Sequence, residues 1–513
     1  PDPNPNPNPD PKPDLDLEAR NQLQQPIIPP WASGPAAAQA HPEPQEPAAV
    51  ELIDQLRAAD PALHSRQHRS DAAADTPLIL GLEPRSGTLA SAQLNQDEAG
   101  RVEVITSGLP GVERPGCAPQ AISNDALQPL LQAAQRDIRR RAGGRFSTYQ
   151  PAILSMAFTE EPAGRRSFVD LTLFSAQGEP SAQRVKLSSD RFGQLLRDFY
   201  RQMARRDAIN PADPQSPVRQ LHQALIAPIE PQLQQRGITS LLIATDQGLQ
   251  AVPFAALHNG ANAFGERYAL SITPSLRFTC LEPPKGEASR LLAAGASSFQ
   301  GLAALPLVPQ EIDGLVAERP ADSFLNQRFT PRVLLEQAAD TRYDRVHVAT
   351  HAEFLPGGAE QSRIYTGTGA VTLAEFARMR DQRDNDPLEL FSLSACRTAV
   401  GDRDSELGFA GLALQAGSRS AIGTLWYVDD VATSAVFLQL YRYLDDGYPK
   451  AEALQATRQD LIAGRIRLAG DRVLAADGHP LLQNLTLAQR QRIREGLSHP
   501  FFWAGITLLG SPW

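Results

Sequence analysis

Between residues 289 and 447, four short and almost wholly apolar segments, "SRLLAAGAS", "YDRVHVATH", "LELFSLSAC" and "RSAIGTLWYV", are separated by segments with helical periodicity, "VPQEIDGLVAER", "PRVLLEQAAD" and "LGFAGLALQAG", and followed by another, "ATSAVFLQLYRYLDDG". A strand with no polar alternation has no solvated face, so it must be covered on both sides. Parallel neighbours also need long crossovers, which the intervening helices supply. The pattern therefore predicts an α/β fold with a mostly parallel sheet and helices on both faces. In such a sheet functional groups collect beyond the carboxyl ends of the strands.

Upstream the pattern is more mixed. "NDALQPLLQAAQRDIRRRA", "DRFGQLLRDFYRQMA" and "VRQLHQALIAPIEPQL" read as helices, "PAILSMAFTEE" and "RSFVDLTLFSAQG" as two strands around a turn, and "TSLLIATDQGLQAVPF" as a hairpin. Residues 1–50 hold 14 of the chain's 43 prolines, and a Pro/Asn/Asp alternation such as "PDPNPNPNPD" can neither complete a hydrogen-bond ladder nor bury a core. Three regions are expected: a disordered tether over 1–75, a smaller α/β unit over 76–285 and the stricter α/β domain over 286–513. A chain of 513 residues is long enough for several cores. It shows no solenoid repeat.

The net charge is -9, and no block of Lys or Arg stands out, which argues against nucleic acid or an anionic membrane as partner and leaves proteins and peptides. No apolar run approaches the roughly 18 residues a membrane helix needs. Cys117, Cys280 and Cys396 lack the spacing of a zinc ribbon or a disulfide framework, so each reads as a single thiol. The chain begins with Pro1, which leaves the compartment open: cytoplasmic by default, exported if a leader precedes it.

Two of the predicted strands end in reactive side chains, His351 and Cys396, placed 45 residues apart. Both fall on one rim of a parallel sheet, where an imidazole can stabilise a thiolate or take its proton. The turn "ACRTAVG" and the residue after His351 leave the N–H groups of Cys396 and Ala352 as donors for an oxyanion. Free cysteine is also among the most buried residue types, so spacing alone leaves Cys396 open between a core thiol and a nucleophile. Thiol-phosphate chemistry is disfavoured because Asp402 stands where a phosphate loop carries arginine. His347 and His351 are roughly 13 Å apart if four positions separate them on one strand, too far to share zinc. His347 thus reads as a core or rim histidine, His499 as a cap at the start of a last strand, and Trp426 and Trp503 as core. Glu353 and Arg363 border a long loop that can line a groove.

The segments "VHVATHAEF", "LFSLSACRTAVG", "GFAGLALQAGSRSAIGTLWYVDD" and "HPFFWAGITLLGSPW" resemble, in this order, the CHAT-domain branch of the caspase-like cysteine peptidases, relatives of caspases, separases and gingipains. "ITSLLIATDQGLQAVPFAALHNG" resembles the start of the same domain, so the likeness runs from about 215 to 513. It implies a caspase-like fold, His351 and Cys396 as a catalytic dyad, and a protein or peptide substrate cut without metal or organic cofactor. A regulatory protein partner is a further implication. Many relatives carry glycine where this chain has Ala352. In such enzymes the residue two before the nucleophile lines the specificity pocket. Here that is Ser394, which cannot pair a cation, so a preference for cleavage after Arg or Lys would draw on Asp429 or Asp430, residues that also suit the amino-terminal cap of the next helix. The alternative reading is a CHAT-domain scaffold that binds proteins without turning them over.

Overall fold

Apolar runs of five or six residues become strands because each buries every side chain, as in Ser240–Thr245, Leu291–Gly295, Leu390–Ser394 and Ser420–Thr424. The computed structural model describes residues 124–141, 144–160, 166–245, 248–274, 276, 279–283, 290–353, 362–383, 386–395, 414, 416–426 and 429–513. The expected tether, Cys117, Cys396 and most of "LGFAGLALQAG" lie outside the described residues.

In chain order the strands are β1 (Pro151–Glu160), β2 (Arg166–Ser175), β3 (Ser181–Lys186), β4 (Ser240–Thr245), β5 (Ala269–Thr273), β6 (Leu291–Gly295), β7 (Ala321–Leu325), β8 (Arg345–Ala349), β9 (Ala352–Glu353), β10 (Arg363–Tyr365), β11 (Ala370–Thr372), β12 (Leu390–Ser394), β13 (Ser420–Thr424), β14 (Arg467–Ala469), β15 (Arg472–Leu474), β16 (Pro480–Leu482) and β17 (Ile506–Gly510). Eleven of them form one sheet in the order β3-β2-β1-β4-β5-β17-β13-β12-β8-β6-β7. Its pairs are parallel except for the β1-β2-β3 meander and β13–β17. β17, the last strand in sequence, lies between β5 and β13 and so joins the strands of both sequence units in one sheet. Being antiparallel to β13 and parallel to β5, it sets the amino ends of β5 and β17 on the same rim as the carboxyl ends of β8, β12 and β13.

Seven helices matter for the packing: α1 (Asn124–Arg141), α2 (Ser189–Arg205), α3 (Val308–Ala317), α4 (Pro331–Ala339), α5 (Leu373–Ala377), α6 (Asp430–Asp445) and α7 (Lys450–Ile462). Side chains alternate between the faces of a strand, so His347 and Ser392 share one face, and Val346 and Phe391 the other. α3 and α6 cover the first face, where His347 meets Glu311 and Phe437. α5 covers the second, where Phe376 packs edge-on against Phe391 with ring centroids 4.9 Å apart. Helices thus lie on both faces, as the apolar strands predicted. "TSLLIATDQGLQAVPF" is a correction: only β4 is a strand, and the chain then makes 3-10 turns at Leu249–Ala251 and Phe254–Ala256. Val252 and Phe254 bury themselves in the core around Pro253, which has no N–H for a second strand.

Arg383 is 1% exposed, and its guanidinium donates to the carbonyls of Ala338, Asp340, Tyr343 and Asp386 at 2.9–3.0 Å. It ties the end of α4 to the entry of β8. Arg383→Met leaves four buried or half-buried acceptors without their donor, and a loss of about 2–4 kcal/mol in a denaturant titration is expected. A change under about 0.5 kcal/mol would mean the loop re-satisfies them unaided.

Candidate functional site

The adjacent strands β8 and β12 run in register, with Val348 beside Leu393 and Ala349 beside Ser394. Beyond their last paired residues the chain is still held. Thr350 N–H donates to the Ser394 carbonyl at 3.2 Å, and Thr424 Oγ1, from the end of β13, donates to the Ala395 carbonyl at 2.8 Å. The strand end that leads into Cys396 is therefore pinned from both sides up to Ala395, and Cys396 itself lies outside the described residues.

His351 stands two residues past β8 on this rim. Its Nε2 is 2.8 Å from the Ala303 carbonyl, and its ring packs at 4.8 Å against Phe299. A carbonyl only accepts, so Nε2 carries the proton and Nδ1 is left as the ring's acceptor. Phe299 and Ala303 come from "SSFQGLAALP", which leaves β6 at the same rim. Sequence reading passed over this loop, because an orienting carbonyl has no residue signature. The one available signal was that the loop follows a strand's carboxyl end.

Ala352 opens β9, an edge strand of the small sheet β11-β10-β9. Tyr365 N–H bonds the His351 carbonyl at 3.0 Å, which makes His351 and Tyr365 a hydrogen-bonded pair and Ala352 and Ile364 the next, non-bonded one. The Ala352 N–H consequently points away from β10. Ala352 is not among the non-glycine residues with positive φ, so alanine is unstrained at this position. Next to it, Glu353 accepts a 2.6 Å bond from the Tyr365 hydroxyl, and burial together with this carboxylate pushes the Tyr365 phenol up to about 12.

Ser394 is buried at the end of β12, on the rim with His351. Asp429 and Asp430 follow β13 but are already engaged. Asp429 caps α6 through the N–H groups of Val431 and Ala432, at 3.0 and 3.3 Å, and its other oxygen takes Arg492 Nε at 2.7 Å. Asp430 is bonded by the same guanidinium. Burial, reinforced by the Asp429 charge, raises the Asp430 carboxyl above the usual range. Arg492 is a partner the sequence reading missed, since it lies 63 residues from Asp429.

The other histidines take structural roles. His347 is fully buried and bonded at 2.9 Å to Glu311, and His499 caps a 3-10 turn by accepting from Phe501 N–H at 3.1 Å. Trp426 and Trp503 are buried, though both lie in turns beside the strands. Gly505 is required here, because a Cβ would stand 2.6 Å from the Trp426 indole. The reading of three single thiols needs correction at Cys280, which is disulfide-bonded. Long sequence separation hides such pairs, because bonding depends on where the fold brings the two chains. Among the described residues no group of three or more His, Cys, Asp or Glu is placed to hold a metal, and no helix is long and apolar enough to cross a membrane.

Comparison with known proteins adds the family. No curated protein matches the sequence. Among solved structures, the separase–securin complex of Saccharomyces cerevisiae is similar at a TM-score of 0.42 and 12% identity, over 76% of this chain and 31% of that one. This chain thus spans about a third of the separase it matches. The Arg-specific cysteine proteinase gingipain R is similar at a TM-score of 0.34 and 10% identity, over 60% of this chain and 69% of that one. The CHAT domain matches residues 215–511, well over half of the sequence. This chain belongs to the CHAT-domain family.

Proposed function

We propose that the protein is a cysteine endopeptidase in which Cys396 is the nucleophile and His351 its proton partner. The observation that carries this reading is the 2.8 Å bond from His351 Nε2 to the Ala303 carbonyl, which leaves Nδ1 free to face a thiol at the end of the neighbouring strand. Cys396 Sγ attacks the peptide carbonyl while Nδ1 takes the thiol proton. The same imidazolium then gives that proton to the departing amine, and water hydrolyses the thioester. The outward N–H of Ala352, with that of Cys396, suits the oxyanion. Substrate and regulator are then proteins or peptides. Cleavage products from a denatured proteome, compared between wild type and Cys396→Ala by mass spectrometry, test the reading. Identical products from both would leave the scaffold alternative, a domain that binds proteins without cutting them.

The place of Cys280 bears on whether this thiol is available. Ile272, Leu509, Ala421 and Phe391 lie at one level across β5, β17, β13 and β12. Cys280 adjoins Thr279, which bonds Thr273 at the carboxyl end of β5, and Glu282, whose carbonyl meets Arg419 at the amino end of β13. Ala395 is at the opposite rim. The separation is on the order of 20 Å from strand spacing and rise, against a Cα distance of about 7 Å at most for a disulfide. A disulfide from Cys280 to the end of β12 is therefore not expected. A disulfide also favours an oxidising compartment. Iodoacetamide on the native protein should label Cys396 alone, and non-reducing peptide mapping should return a 117–280 cross-link. A 280–396 cross-link would remove the nucleophile.

A preference for Arg or Lys before the cut bond, carried by Asp429 and Asp430, requires the substrate cation to displace Arg492. Arg492→Met should raise turnover of Arg or Lys substrates relative to neutral ones by about tenfold, one charged contact's worth. An unchanged ratio would exclude both carboxylates from the pocket.

A further inference from the structure

Arg458 is a buried cation with no counter-charge among the described residues. It lies on α7, 2% exposed, and only its Nη2 has a partner, the Ile506 carbonyl at 2.7 Å. Its Nε and Nη1 are buried and bond to nothing among the described residues. The guanidinium borders a cavity lined by Val252, Phe254, Leu270, Leu425, Ala504 and Thr507, in which Arg458 is the one charged side chain. No carboxylate among the described residues lies within ion-pair distance of it. Burial pulls the group down to about 9, with no neighbouring charge opposing the shift. It still keeps its proton at neutral pH, so the fold holds a desolvated cation and two idle donors. Such a charge is costly unless something neutralises it.

We propose that this cavity is a binding site for a small monovalent anion of the halide class, held by Nε and Nη1 of Arg458. The sign follows from the uncompensated guanidinium. The size follows from the room beside it, about that of one water molecule, which favours a single-atom anion over tetrahedral sulfate or phosphate. The valence follows from the single formal charge in the lining. The site touches the rim described above. Ile506, which accepts from Arg458, pairs with Thr424, and Thr424 holds the Ala395 carbonyl. An occupied site would steady the end of β13 and the start of β17. None of this depends on the peptidase reading.

The test is thermal unfolding of the full chain at constant ionic strength, with sodium bromide or chloride replacing sodium gluconate. Wild type should gain about 3 °C, saturably, at a hundredfold excess over the dissociation constant. Arg458→Gln should melt at one temperature whatever the anion. Independently of how that variant folds, bromide-soaked wild-type crystals give a second readout: an anomalous peak within hydrogen-bond reach of Nε and Nη1. A water there without bromide, or a halide effect equal in wild type and variant, would overturn the proposal. An Arg458-dependent response to sulfate but not to halide would overturn the assigned class.

Discussion

Cys396→Ala is expected to lower hydrolysis of an unfolded protein substrate by at least about 10³-fold, with the melting temperature unchanged. His351→Ala should match it, and the double variant should lose no more than either single one, as expected of a proposed nucleophile and base that act as a unit. Phe299→Ala should lose less, about 10-fold in kcat, since it only removes the ring that keeps His351 upright over the Ala303 carbonyl. A His351→Ala enzyme that keeps wild-type kcat would dismiss the dyad. Full loss in Phe299→Ala with a normal melting temperature would instead mean that ring packing sets the imidazole's position entirely.

The second large effect is on stability. Glu311 is 1% exposed between α3 and the sheet; one oxygen meets His347 Nε2 at 2.9 Å and the other accepts from Ser434 Oγ at 2.7 Å. His347 sits edge-on to Phe437 and Tyr441, so neither group can turn to water. Glu311→Ala strands a buried imidazole and a buried hydroxyl, and should cost about 3–5 kcal/mol. Replacing both partners, Glu311→Leu with His347→Leu, should recover much of that, because two apolar side chains need no partners. Chemical denaturation checks both. A double variant as unstable as Glu311→Ala would show that packing, and not the stranded polar group, sets the loss.

That pair shows where sequence reading reaches its limit. His347 was legible only as a core or rim residue, because it sits in an apolar strand four positions before a residue at the rim. Glu311 was not, because a glutamate in "VPQEIDGLVAER" looks like a solvated helix position until α3 is docked on the sheet. Asp429 repeats the lesson. Its capping role was readable from the helix that follows, whereas its ion pair with Arg492 was not, since nothing local links the two.

The sequence by itself determined the α/β class, the parallel half of the sheet and the placement of His351 at a strand's end. Each of these depends on local periodicity and on the burial of apolar runs, both of which are written in consecutive residues. Tertiary structure alone decided three other things: that β17 joins both halves into one sheet, that a carbonyl from the β6 loop orients His351, and that Arg458 is left buried without a counter-charge among the described residues. These depend on contacts between residues 48 or more positions apart, or on a missing contact, and chain order carries no signal for either.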